Sequence, residues 1–113
     1  MSQAIDLVQH CTTIEDVRRN VNALDDVLVP LLVTRIGYMQ QAARIKGDVG
    51  QVRDEARIEA IVSRVRERTA QEGGQPDVME TVYRQLMEEC IAYEHRECAR
   101  LRRSGGSAEI AGE

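Results

Sequence analysis

Apolar residues recur at alternating intervals of three and four along the first third of the chain. They are Ile14, Val17, Val21, Leu24, Leu28 and Leu31. This spacing is typical of one face of an α-helix. Thr12 or Thr13 is placed to cap the helix, and Glu15 and Asp16 follow where the helix dipole favours acidic side chains. We therefore predict a first helix that begins near residue 13 and continues for about thirty residues, or about 45 Å.

Two shorter helices follow after breaks that contain glycine. GDVGQV at residues 47–52 ends the first pattern, and Asp54 is placed to cap a second helix near residues 54–72. The segment EGGQPD has the composition of a turn. Its last residue, Asp77, is placed to cap a third helix near residues 77–102.

These patterns predict an all-α fold with three helices per chain, one long and two shorter. A helix of about 45 Å is longer than a globule of 113 residues is wide, so we predict an intertwined homodimer in which a second copy covers it. Pro30 removes one hydrogen bond inside the long helix, which predicts a bend near residues 26–30. We assign residues 1–103 to one helical domain and the Gly- and Ser-rich residues 104–113 to a mobile tail.

Composition argues against several classes of function. The net charge of −4 and the absence of aromatic residues beside basic runs argue against nucleic-acid binding. No apolar stretch approaches the about 20 residues of a membrane span, and the first ten residues lack a signal-peptide pattern. We therefore expect a soluble cytoplasmic protein without a membrane partner. Cys11, Cys90 and Cys98 cannot all pair within one chain and match no common disulfide framework, so we expect reduced thiols. Cys90, His95 and Cys98 spread over several faces of one helix, so we expect no metal site.

Charged residues occur on the apolar helix faces. Arg35 continues the stripe of the first helix, and Lys46, eleven residues later, projects from the same side. Arg57 adjoins the stripe of the second helix, and Glu94 follows Cys90 by four residues in the third. Any one of these charged residues, taken alone, is explained by an aliphatic side-chain stem that lies over apolar surface or by an ion pair. Together, three cations with one carboxyl group predict a pocket for a small dianion, since a closed core would leave two charges unpaired.

Arg18 lies seventeen residues before Arg35, which is about 25 Å along the same helix. It cannot reach the same ligand as Arg35 within one chain. In a two-fold dimer with antiparallel long helices, Arg18 can enter the pocket of the other subunit. The alternative, a solvated side chain beside Arg19, stays open on periodicity alone.

With these residues in place, the sequence resembles the all-helical chorismate mutase family, which includes the isochorismate pyruvate lyases. The resemblance covers about residues 11–98. Its pieces are CTTIEDVRRNVNALDDVLVPLLVTR, RIGYMQQAARIK, DEAR, EGG and ECIAYEH. The spacing of Arg18, Arg35 and Lys46 matches the family pattern. The resemblance implies an intertwined dimer of three-helix chains with shared sites and no metal or cofactor.

The resemblance also implies roles for the site residues. Arg35 and Arg18 of the partner chain would bind the substrate carboxylates, while Lys46 and Glu94 would face the ether oxygen of the breaking bond. The expected catalytic residues are therefore Lys46, Glu94 and Arg35. The expected substrate-binding set is Arg18, Arg35, Lys46, Asp54, Arg57, Cys90 and Glu94.

We expect the chorismate mutase reaction, a Claisen rearrangement of chorismate to prephenate that needs no cofactor. Two departures from the family pattern leave alternatives. Ile58 stands where some mutases carry a glutamate that binds the substrate hydroxyl, which favours the lyase that releases salicylate and pyruvate from isochorismate. Glu94 stands where a glutamine is commoner, and a carboxyl group donates a hydrogen bond only when protonated. A non-catalytic helical dimer is the third reading.

Overall fold

The structure is a computed structural model that describes residues 2–47 and 49–112, without the side chains of Val49 and of residues 105–112. It contains the helices α1 (Ile14–Lys46), α2 (Glu55–Gln71) and α3 (Pro76–Gly112), and short 3₁₀ helices at Ala4–Leu7 and Val49–Gln51. The described residues include no strand, so the all-α class is confirmed. None of the described helices has the length and apolar character needed to cross a membrane.

Helix α1 begins and ends at residues whose chemistry suits a helix terminus. The Thr13 hydroxyl accepts the Asp16 backbone N–H at 3.1 Å, and the Asp16 carboxylate accepts the Thr13 N–H at 3.2 Å, which satisfies two N–H groups that have no partner within the helix. Gly47 takes the left-handed conformation that ends the helix. Pro30 lies inside α1 without interrupting it; the bend beside Pro30 stays a prediction.

The start of α2 was predicted correctly, and the cap of α3 was not. Asp54 accepts the backbone N–H of Arg57 at 3.0 Å, as expected of an N-cap. Helix α3 begins at Pro76, so Asp77 lies within its first turn instead of capping it. Proline suits the first helical position because its ring holds a helical φ angle and it has no N–H to satisfy.

Helix α3 continues to Gly112, ten residues beyond its predicted end. Extending an existing helix adds one hydrogen bond for each residue ordered, so weak helix formers can prolong a helix that they would not nucleate. The apolar period stops where the Gly- and Ser-rich segment begins, which is why the predicted helix ended there. Nothing in the structure tests the predicted mobility of residues 104–113, and residue 113 lies outside the described residues; the mobile tail stays a prediction.

Helix α3 packs against both other α-helices and forms two small buried clusters with them and their connection. One cluster contains Ala43, Val52 and Cys98. The other contains Ile58, Val62 and Met87. Both clusters lie beside the C-terminal half of α1 or the first half of α2, so the core supports the region where the predicted cations project.

The N-terminal half of α1 is uncovered in the single chain. Every residue between Val17 and Leu31 is exposed, and the large apolar side chains among them have exposed fractions of 41% to 67%. The radius of gyration is 19.0 Å, whereas a compact chain of this length has about 13 Å. One chain therefore leaves an apolar helix face exposed to water, and the homodimer predicted to cover it stays a prediction.

The segment before α1 attaches to the turn between α2 and α3. The Ile5 N–H donates to the Glu72 carbonyl at 3.1 Å, and the Gln3 side-chain amide donates to the Gln71 carbonyl at 3.0 Å. Gly73 in this turn has a φ angle of +78°, and a Cβ atom there would lie 2.5 Å from a methyl carbon of Ile5. Glycine at this position therefore allows both the turn and the contact.

Candidate active site

A cavity of about 380 Å³ lies where the C-terminal half of α1, the start of α2 and the middle of α3 meet. Six of the seven predicted substrate-binding residues line it: Arg35 and Lys46 from α1, Asp54 and Arg57 at the start of α2, and Cys90 and Glu94 from α3. The helical spacing that suggested a common site thus corresponds to one pocket built from three helices and the connection between the first two.

Arg18 is the predicted site residue that its own chain does not bring to the pocket. Its side chain is 66% exposed and donates to Glu15 at 3.0 Å. It lies on the uncovered half of α1, about 25 Å along the helix from Arg35. Any role of Arg18 in a site must therefore be in the site of another chain.

Lys46 and Glu94 form an ion pair inside the pocket. The Lys46 Nζ donates to Glu94 Oε2 at 3.1 Å and lies 3.5 Å from the Val52 carbonyl oxygen. The Glu94 side chain is only 5% exposed, whereas that of Lys46 is 33% exposed. The Glu94 carboxylate is thus buried in the wall of the pocket, and the Lys46 ammonium group is the more exposed partner of the pair.

Arg35 has two uncharged neighbours. Its Nη1 donates to Cys90 Sγ at 3.4 Å, and its guanidinium carbon lies 5.5 Å from the centre of the Tyr83 ring. Burial raises the pKa of the Cys90 thiol, against the opposing effect of the Arg35 charge, so the thiol is protonated at neutral pH. Among the described residues no carboxylate forms an ion pair with Arg35, and its charge is available to a ligand.

The charge of the pocket differs from the prediction. Three cations were expected with one carboxyl group, but Asp54 also lines the cavity. Arg35, Lys46 and Arg57 against Asp54 and Glu94 leave a surplus of one positive charge. Asp54 was expected both to cap α2 and, from the resemblance, to belong to the substrate-binding set, but the count of charges left it out. Its position at the α2 N-terminus also places its carboxylate at the cavity.

Periodicity could have identified part of the apolar wall of the pocket. This wall includes Met39, Ile58, Ile61, Met87 and Ile91. Met39 lies four residues after Arg35, so both occupy one face of α1. The residues of α2 and α3 that face the cavity depend on how these helices cross α1, which periodicity does not define.

Two other features of the described residues lack the properties of a ligand site. A depression of about 420 Å³ is lined by Arg64, Glu67, Arg68 and Gln71, all from α2, so it lacks a wall from a second element. Within the described residues, no group of three or more His, Cys, Asp or Glu side chains is placed to hold a metal ion. The pocket with the converging cations therefore remains the candidate active site.

Comparison with known protein families identifies the family of the chain. The chain matches the family described as chorismate mutase type II over residues 17–95. The matched stretch contains the whole pocket lining together with Arg18. No curated protein and no solved structure matches the chain. Since the family match extends over more than half of the 113 residues, the chain belongs to the chorismate mutase type II family.

Proposed function

We propose that the protein is a chorismate mutase that converts chorismate to prephenate. The observation that carries this proposal is the placement of Arg35 and Lys46 in one apolar-walled cavity with surplus positive charge, in a chain of this family. The rearrangement breaks an ether bond and forms a carbon–carbon bond within one molecule. It needs a group that holds the compact conformer and a donor at the ether oxygen, and it needs no nucleophile.

The pocket residues suit these requirements. A volume of about 380 Å³ lies within the range of about 300–1,000 Å³ typical of small-molecule sites. Arg35 is the bidentate donor for one carboxylate, with Arg57 adding charge at the pocket edge. The apolar wall restricts the ring and side chain of the substrate to a reactive conformation. Lys46 donates to the ether oxygen as negative charge develops there.

A shared site in a homodimer completes the charge balance. The pocket of one chain has a surplus of one positive charge, and chorismate carries two carboxylates. Arg18 of the partner chain supplies the second charge and the second carboxylate contact if two α1 helices pack antiparallel along their uncovered apolar faces. This packing also removes from water the apolar side chains that one chain leaves exposed.

The proposal is tested by incubating the purified protein separately with chorismate and with isochorismate. We expect prephenate from chorismate at a rate well above the uncatalysed reaction. Salicylate and pyruvate from isochorismate, without prephenate from chorismate, would assign the lyase activity instead. No product from either substrate would leave a non-catalytic helical dimer as the reading.

One observation favours the lyase as the second candidate. Ile58 is 8% exposed and its side chain forms part of the cavity wall. A mutase that binds the chorismate hydroxyl through a glutamate at this position would have a polar group where this chain has an apolar one. The comparison of the two substrates above decides between these candidates.

The ion pair between Lys46 and Glu94 leads to a prediction for the Glu94→Gln variant. The Glu94 carboxylate pairs with Lys46 at 3.1 Å and repels negative charge on the ether oxygen. A glutamine amide of nearly the same shape would leave the Lys46 charge unpaired and supply a second hydrogen-bond donor. We therefore expect Glu94→Gln to raise kcat/KM for chorismate at neutral pH.

The measurement is kcat/KM for chorismate at neutral pH for the wild type beside Glu94→Gln. Glu89→Gln is the matched control because Glu89 is an exposed carboxylate on the same helix, and its kcat/KM should equal that of the wild type. An unchanged or lower kcat/KM in Glu94→Gln would show that the Glu94 carboxylate does not oppose the reaction and would leave Lys46 to bind the ether oxygen alone.

A further inference from the structure

Two uncharged side chains of α3 hold the Arg35 guanidinium group. Tyr83 and Cys90 are seven residues apart and therefore lie on the same face of α3, two turns from each other. The guanidinium carbon Cζ of Arg35 is 5.5 Å from the centre of the Tyr83 ring, within the range of a cation–π contact. Arg35 Nη1 donates to Cys90 Sγ at 3.4 Å.

Tyr83 is itself fixed by the core. Its ring is partly buried and packs against the cluster formed by Ile58, Val62 and Met87. Tyr83 is not among the residues that line the cavity. It therefore acts on the pocket through Arg35 and not by touching a ligand.

The neutrality of these contacts matters for binding an anion. A carboxylate partner would order Arg35 but would also neutralise its charge, as Glu94 does for Lys46 at 3.1 Å. A ring face and a protonated thiol order the guanidinium group and leave its charge unpaired. An arginine ordered before the ligand arrives loses less conformational freedom on binding, so the anion binds more tightly.

We propose that Tyr83 is a positioning residue whose ring holds the Arg35 guanidinium group in the orientation that binds a carboxylate of the substrate. The identity of that substrate, chorismate, rests on the proposed function. The contact between Tyr83 and Arg35, and its effect on the order of Arg35, do not depend on which anion the pocket binds.

The first test compares Tyr83→Leu with Tyr83→Phe in steady-state kinetics with chorismate. Since Arg35 contacts a carboxylate in both the ground and transition states, Tyr83→Leu should raise KM about fivefold, the ratio equivalent to a cation–π contact of about 1 kcal/mol, with kcat changed less than about twofold. Tyr83→Phe keeps the ring face and should restore KM to within about twofold of the wild type. An unchanged KM in Tyr83→Leu, or an equal rise in Tyr83→Phe, would overturn the proposal.

Tyr93→Leu is the matched control. Tyr93 lies on the same helix and also has an arginine over its ring, Arg96 at 5.7 Å, but it is outside the cavity lining. It accepts a hydrogen bond from Gln40 of α1 at 2.6 Å, so the substitution also weakens the packing of α1 on α3. KM should stay unchanged; a rise equal to that of Tyr83→Leu would assign the effect to general helix packing and overturn the proposal.

The second test needs no turnover. Nitrogen-15 relaxation of the Arg35 Nε–Hε group in the unliganded protein should give an order parameter above about 0.6 in the wild type and Tyr83→Phe, and a lower value in Tyr83→Leu. A value below about 0.6 in the wild type would overturn the proposal even if Tyr83→Leu fails to fold. If the wild type converts neither chorismate nor isochorismate, the proposed function fails, and the order parameters still decide whether Tyr83 positions Arg35.

Discussion

Arg35→Ala and Lys46→Ala should each lower kcat/KM for chorismate by about 10²- to 10³-fold, equivalent to about 3 to 4 kcal/mol of transition-state binding. Both cations line a largely apolar cavity, where a charge-assisted hydrogen bond is stronger than in water. In the proposed mechanism, Lys46 stabilises the negative charge that develops on the ether oxygen, and Arg35 holds the carboxylate that orients the reacting chain. Steady-state kinetics on both variants measures the loss.

The two substitutions should differ in their effect on stability. Removing Arg35 leaves the uncharged Tyr83 and Cys90, so the free energy of unfolding should change little or rise slightly. Removing Lys46 leaves the Glu94 carboxylate, 5% exposed, without its cation. This should lower the free energy of unfolding by about 2 to 3 kcal/mol, less than for a fully buried pair because one-third of Lys46 is exposed.

The double variant Lys46→Ala/Glu94→Gln separates stability from catalysis, since a neutral amide needs no cation. It should unfold at nearly the wild-type denaturant concentration and stay inactive. Arg44→Ala is the control for loss of a cation from the end of α1, because Arg44 is exposed and binds only the Gln41 side chain among the described contacts. Variants of Arg35 that unfold, or that keep full activity, would indicate that the cation is structural.

Mixing two inactive variants should restore activity if the site is shared between chains. Arg18→Ala chains keep Lys46 in their pocket but lack the arginine for the partner's pocket, and Lys46→Ala chains have the opposite defect. After equal mixing with free exchange, half of the dimers combine both chains, and each of these has one intact site of two. Activity should return to about one quarter of the wild-type value.

The control mixture combines Arg35→Ala with Lys46→Ala. Both residues line the pocket of one chain, so each site in a mixed dimer still lacks a cation and activity should stay absent. Sedimentation should show a dimer at micromolar concentration. An active compact monomer, or no recovery in the first mixture, would contradict a role for Arg18 across the interface.

The sequence by itself determined the all-α class and most of the helix boundaries, and it predicted six residues that line the candidate pocket. Thr13, Asp54 and the glycine after Lys46 are local signals, because each satisfies or ends the backbone hydrogen bonds of its own helix. Arg35 and Lys46 share one face through the helical period alone. The failures were also local: Pro76 replaced Asp77 as the determinant of a helix start, and an already formed α3 extended past its glycine-rich residues to Gly112.

Only the tertiary structure decided which side chains meet across helices. Lys46 and Glu94 are 48 residues apart in the sequence, and Arg35 and Cys90 are 55 residues apart. Whether such pairs are in contact depends on the crossing angle and register of α1 and α3 and on the side-chain rotamers. The sequence of one helix does not determine these quantities. The same packing placed the Asp54 carboxylate at the cavity, where it lowers the net positive charge. It also placed the centre of the Tyr83 ring 5.5 Å from the guanidinium carbon of Arg35. Periodicity identifies a helix face, but a contact requires two faces brought to within a few ångströms.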